Sequence, residues 1–198
     1  MESRSLPRAD ELRTRFSIQA VAVGLTMPLV SAIYLALLAD FAASDWTKVI
    51  VAMTLVAVFA PAGIAIWSQR TLAPLLKWLD ERDLGDMSTS LTTKAFSVAI
   101  GFPADTQRAA MVVSITSAIA MNVVLTAAVG TEVSLGIPGL AILLGGATAG
   151  FLAGVVHYGM SRRALDSILR DLVTVIPDPA ERINHIRSAS LSNRFAFA

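Results

Sequence analysis

The chain has 198 residues, 55% of them hydrophobic and 16% charged, with a net charge of +1 and no cysteine. A soluble domain carries nearer a quarter charged residues, so the composition argues against an ordinary water-soluble fold. The missing thiols exclude disulfides and thiolate chemistry, and the near-zero charge gives no case for nucleic acid as a partner.

Segment 1–16 is rich in polar residues of both charges. Pro7 followed by Asp10 and Glu11 suits a helix start with acids in its first turn, and that helix is expected to run on into the first apolar run. The run is too long for the apolar region of a signal peptide, so no cleaved signal is expected. Four charge-free runs stand out, roughly 17–39, 49–67, 109–131 and 137–161. A bilayer core of about 30 Å needs about 20 helical residues. All four runs meet that length, and each is expected to be a helix because lipid offers no partner to an open backbone group. Pro28 and Pro61 lie inside the first two runs, and Trp46 and Trp67 lie near opposite ends of the second, as an aromatic belt would place them.

Between the second and third runs lies segment 68–108. Leu72, Leu75, Leu76 and Leu79 form an apolar stripe at helical spacing. Pro74 falls within it, so the helix is expected to kink or restart there and to end at Gly85. A second short helix is expected over about 91–100, with Phe102-Pro103 leading into the third span. That span carries the polar residues Thr116, Asn122 and Thr126, which suit interhelical hydrogen bonds or a small polar ligand site.

In the fourth run Gly146, Gly150 and Gly154 recur every four residues and so share one helix face, with Gly145, Ala149 and Ala153 alongside. Such a strip admits another helix at close range. It serves packing within the chain, dimerisation or a ligand crevice. His157 and Tyr158 sit near the end of this run, as an interfacial pair or a pH-responsive group. In segment 162–198, Leu165, Ile168, Leu169, Leu172, Val175 and Ile176 make an apolar seam that stops at Pro177. Asp178-Pro179-Ala180-Glu181 then reads as the capped start of another helix, with Ile183 and Ile186 on its apolar face.

The two halves line up at an offset of 93. Ser68, Arg70, Leu72, Leu76 and Leu79 fall on Ser161, Arg163, Leu165, Leu169 and Leu172. Leu75 falls on Ile168, Lys77 on Arg170 and Arg15 on Arg108. Arg70 and Arg163 each stand where a run ends, as anchors that snorkel to the headgroups or as the top of a lever. The two short connections, 40–48 and 132–136, hold only Lys48 of the 16 basic residues. The positive-inside rule therefore puts both termini in the cytoplasm, with the chain in the inner membrane.

No phosphate loop, metal-ligand spacing, Ser-His-Asp set or catalytic carboxylate pair is present. Asp83 and Asp86 read as a solvated turn. His157 and His185 are the only histidines, and a haem held by two of them needs both on facing spans. Ionisable residues at mid-membrane mark ion and proton relays, and no Asp, Glu, Lys or Arg lies inside any of the four runs. No catalytic residue, cofactor or metal is assigned. The chain reads as no enzyme itself, any catalytic output lying outside it.

The exit motif Arg70-x-Leu72-x-Pro74-Leu75-x-x-x-Leu79, the short helix from Ala95 and the re-entry at Pro103 resemble the repeated-hairpin membrane regions of bacterial signalling proteins. Those regions precede adenylate cyclase, chemoreceptor or histidine kinase outputs. Pro74-Leu75-Leu76 through Gly85-Asp86-Met87-Ser88 is also similar to part of a HAMP linker. The expectation is an all-α polytopic membrane protein, with transmembrane hairpins at 17–67 and 109–161 and short cytoplasmic helices. The resemblance implies a sensor or anchor module that couples a membrane cue to a cytoplasmic output. The alternatives are an accessory subunit of a membrane complex and, further off, a small transporter or pore. Expected partners are the lipid bilayer and either copies of itself or other membrane subunits.

Overall fold

In the computed structural model, residues 7–39, 41–85, 88–130, 133 and 136–176 are described. They form four long α-helices: α1 (Ala9–Leu38), α2 (Ala43–Leu84), α3 (Thr89–Val129) and α4 (Ile137–Val175). All four are long and apolar enough to cross a membrane. The fold is all-α among the described residues. The capped helix expected from Asp178 lies outside them.

Local chemistry accounts for the helix ends. The Arg8 amide donates to Glu11 Oε2 at 3.4 Å, a back-bond of the capping-box kind. Gly85 ends α2 with φ +79°, a left-handed conformation in which a Cβ would be strained. Ser88 caps α3, its Oγ accepting from the Leu91 amide at 3.2 Å.

The expected short helices of segment 68–108 differ from what forms. α2 runs straight on from the second span through Pro74, and α3 passes through Pro103 into the third. Pro74 leaves without a donor only the carbonyl of exposed Arg70. At Pro103, the neighbouring Phe102 is fixed by aromatic contacts. Its ring stands 5.0 Å from Phe16, edge-on, and 6.1 Å from Trp67, stacked. Packing of this kind outweighs a local helix-breaking preference.

The helices divide into two compact units. One comprises residues Gln19–Ile66 and Gln107–His157. Its surface is apolar: Leu29, Phe59 and Val123 are 65%, 70% and 64% exposed. Its interior is built of small and medium side chains, among them Ala20, Ala52, Ala60, Ala118, Ala141, Ala149 and Ala153, with Leu35, Leu125 and Ile142. That inversion suits a hydrocarbon solvent, in which close backbone approach replaces the hydrophobic drive.

Among the described residues, the other unit comprises 7–18, 67–106 and 158–176. It has the opposite pattern. Leu12 and Phe16 of α1, Leu72, Leu75 and Trp78 of α2, Phe96 and Phe102 of α3, and Leu165, Ile168 and Leu172 of α4 fill one core. Arg13, Arg70, Lys77, Lys94, Arg163 and Arg170 are exposed around it. An apolar core under a charged surface suits water. Of the positions aligned at the offset of 93, Ser68 and Ser161, Leu72 and Leu165, Leu75 and Ile168, and Leu79 and Leu172 are buried and Arg70 and Arg163 exposed, whereas Leu76 is buried and Leu169 half-buried, and Arg15 is exposed and Arg108 half-buried.

Candidate functional site

The glycines of α4 are where its neighbours come closest. A Cβ on Gly146 would overlap Ala118 Cβ of α3; one on Gly150 would stand 2.9 Å from Ser114 Cβ, and one on Gly154 3.1 Å from Gln107 Cγ. The strip therefore faces α3 of the same chain. Ser114, buried, donates from Oγ to the Gly146 carbonyl at 2.7 Å, which needs that approach. Gly145, one residue away, faces α1 instead, a Cβ there lying 3.0 Å from Ser31 Cα. The cavity beside the strip, lined by Pro28, Ser31, Met53, Ser114, Ser117 and Gly146 among others, has about 10 Å³, room for about one water.

Two polar contacts tie α4 to α1 within the apolar unit. The Tyr34 hydroxyl lies 3.2 Å from Thr148 Oγ1. Gln19 Nε2 donates to the His157 carbonyl at 3.1 Å and lies 2.7 Å from His157 Nδ1. A carbonyl can only accept, so the nitrogen end of the Gln19 amide must face His157. An amide nitrogen cannot accept, so Nδ1 takes the second Gln19 proton and the imidazole carries its own proton on Nε2. His157 is fully buried, and that Nε2 has no partner among the described residues. A buried donor left open costs about 1–3 kcal/mol.

Sequence reasoning paired His157 with Tyr158. The structure gives it Gln19, 138 residues away, and Gln19 was missed. The only sequence signal was a lone amide side chain inside an otherwise apolar first span. Of the polar residues singled out in the third span, Thr126 Oγ1 donates back to the Asn122 carbonyl at 2.7 Å, and Thr116 is exposed on the apolar surface. Asn122 and Thr126 line a groove of about 500 Å³ with Ile119, Val123, Ala127 and Leu143.

In the other unit, Arg70 and Arg163 are both exposed. Arg82 of α2 pairs with Asp171 of α4, Nε to Oδ2 at 3.2 Å, and its guanidinium lies 5.8 Å from the Trp78 ring centre. Trp78, fully buried, donates from Nε1 to Thr92 Oγ1 of α3 at 3.2 Å. One ion pair, one aromatic body and one hydrogen bond thus link α2, α3 and α4. Among the described residues, no three His, Cys, Asp or Glu side chains come together to hold a metal.

No family model, curated protein or solved structure matches this chain. The functional reading therefore rests on its own residues.

Proposed function

We propose that the chain is a membrane anchor and sensor module that couples a membrane-side cue to a cytoplasmic output or partner. The observation that carries this reading is α4. One unbroken helix, Ile137–Val175, holds the glycine strip packed on α3 and, further along, the seam of Leu165, Ile168 and Leu172 packed into a water-type core. A helix is stiff along its axis, so a change in how the strip sits is felt at the seam as a shift or rotation of the same rod. The resemblance of Arg70 to Leu79 to the exits of signalling membrane regions supports the same reading. The distribution of basic residues supports cytoplasmic termini in an inner membrane.

A dimerisation-dependent reporter domain fused after Ala198 tests the proposal. Gly150→Ala disturbs only the membrane end of α4. A coupling module changes reporter output at equal membrane level. A purely structural subunit leaves output unchanged and co-purifies in mild detergent with fixed amounts of other membrane proteins.

A further inference from the structure

Sequence offers two faces for self-association, the glycine strip and the 165–176 seam. The chain uses both internally: the strip meets α3, and Leu165, Ile168, Leu172 and Ile176 of the seam are buried in a core shared with α1, α2 and α3. The apolar unit has one other feature that asks for a partner. Asn122 stands fourteen residues after Arg108 and seven before the helix end at Val129. Along a helix that is about 21 Å from one and about 10 Å from the other, inside a hydrocarbon core of about 30 Å. It is half-buried and lines the open groove with Ile119, Val123, Thr126, Ala127 and Leu143.

The Asn122 carboxamide is only partly satisfied there. Thr126 spends its one hydroxyl proton on the Asn122 backbone carbonyl at 2.7 Å and lies 3.4 Å from Oδ1. No described residue accepts from Nδ2. Water is absent at this depth, and hydrocarbon accepts no hydrogen bond.

We infer that this groove docks a second copy of the chain, with the two Asn122 carboxamides hydrogen-bonded to each other across a two-fold axis. Three things select a copy over another occupant. A carboxamide is both donor and acceptor, so it complements itself. Two chains inserted the same way round hold their Asn122 at the same depth without further adjustment. A two-fold interface brings a residue near the axis against its own counterpart, giving reciprocal Nδ2–H to Oδ1 bonds. Ala127 and Thr126 keep the groove floor short enough for close approach. This inference rests on the membrane placement of α3 but not on the signalling role.

The absence of native cysteine gives a clean experiment in native membranes. Ala127→Cys lies in the groove, and Val58→Cys, 59% exposed on α2, serves as control. Oxidative cross-linking is expected to give a product of twice the chain mass for Ala127→Cys and little for Val58→Cys. Adding Asn122→Leu is expected to weaken the dimer about 3- to 30-fold, and Asn122→Gln to restore it. Equal cross-linking at both cysteines, no response to Asn122→Leu, or a product of another mass overturns the docking of a second copy. A chain that stays monomeric in the membrane pellet overturns this inference alone. A chain found outside the pellet overturns the membrane reading as well.

Discussion

Replacing the glycines of the apolar unit one at a time with alanine gives a graded test of the α3–α4 contact. Alanine adds one methyl and improves helix propensity by about 0.5–1 kcal/mol where nothing obstructs it. Gly63 on α2 is such a site, with nothing within 4 Å of an added Cβ. At Gly150 the added Cβ would stand 2.9 Å from Ser114 Cβ, so ordinary contact needs the helices to part by about 1 Å. That movement would also stretch the 2.7 Å bond from Ser114 to the Gly146 carbonyl beyond hydrogen-bonding range. Overpacking costs about 1–3 kcal/mol, and the lost bond adds about 0.6 kcal/mol. At Gly154 the added Cβ would stand 3.1 Å from Gln107 Cγ and 3.2 Å from the Gln107 carbonyl oxygen, contacts that a shift of a few tenths of an ångström relieves, so the cost is smaller. The expected order of stability is Gly63→Ala above wild type, then Gly154→Ala, Gly150→Ala and Gly146→Ala. The two ends differ by about 2–4 kcal/mol. Denaturant unfolding in micelles, followed by fluorescence of the three tryptophans, measures it. If Gly146→Ala and Gly150→Ala unfold no more easily than Gly63→Ala, the strip does not pack on α3 as described.

Further outcomes follow from the polar contacts. Gln19→Leu leaves His157 Nδ1 buried without its donor and is expected to cost about 1–3 kcal/mol, while Gln19→Leu with His157→Phe costs less than the two single changes summed, as a double-mutant cycle would read. Arg82 and Asp171 are 32% and 27% exposed at the side chain, so Asp171→Asn is expected to cost only about 0.5–1 kcal/mol; exchanging the two charges, Arg82→Asp with Asp171→Arg, should recover most of it, and 1 M salt should shrink the difference. Arg70→Glu removes a basic anchor at the end of the second span and is expected to lower the fraction inserted in the proper orientation, read by protease protection of the central segment.

Much of the fold could be read from the chain because hydrocarbon imposes simple rules. Runs free of charge and long enough to cross a bilayer must be helices, and the four runs locate the four helices. The α1 start at Pro7, Asp10 and Glu11 and the stop at Gly85 were legible because each has a local chemical signature. The merging of the expected short helices into α2 and α3 was not. Pro74 and Pro103 are local helix-breaking signals; at Pro74 the one carbonyl left open is that of exposed Arg70, and at Pro103 the neighbouring Phe102 is held against Phe16 and Trp67, residues remote in sequence. The same limit hid Gln19. A hydrogen bond between positions 19 and 157 leaves no pattern in either segment. Conversely, the glycine spacing marked a close-packing face without naming the helix that occupies it, and Ser114 supplied that answer only in three dimensions.

Cysteine labelling of intact and opened cells tests the central claim, that these helices cross a membrane as two hairpins. Ser44→Cys lies in the first turn of α2, at the end next to α1, and Ser88→Cys between α2 and α3, both exposed. A membrane-impermeant maleimide is expected to label Ser44→Cys from outside and Ser88→Cys only after the inner membrane is opened. Labelling of both from the same side, or recovery of the chain in the soluble fraction without detergent, would contradict the account.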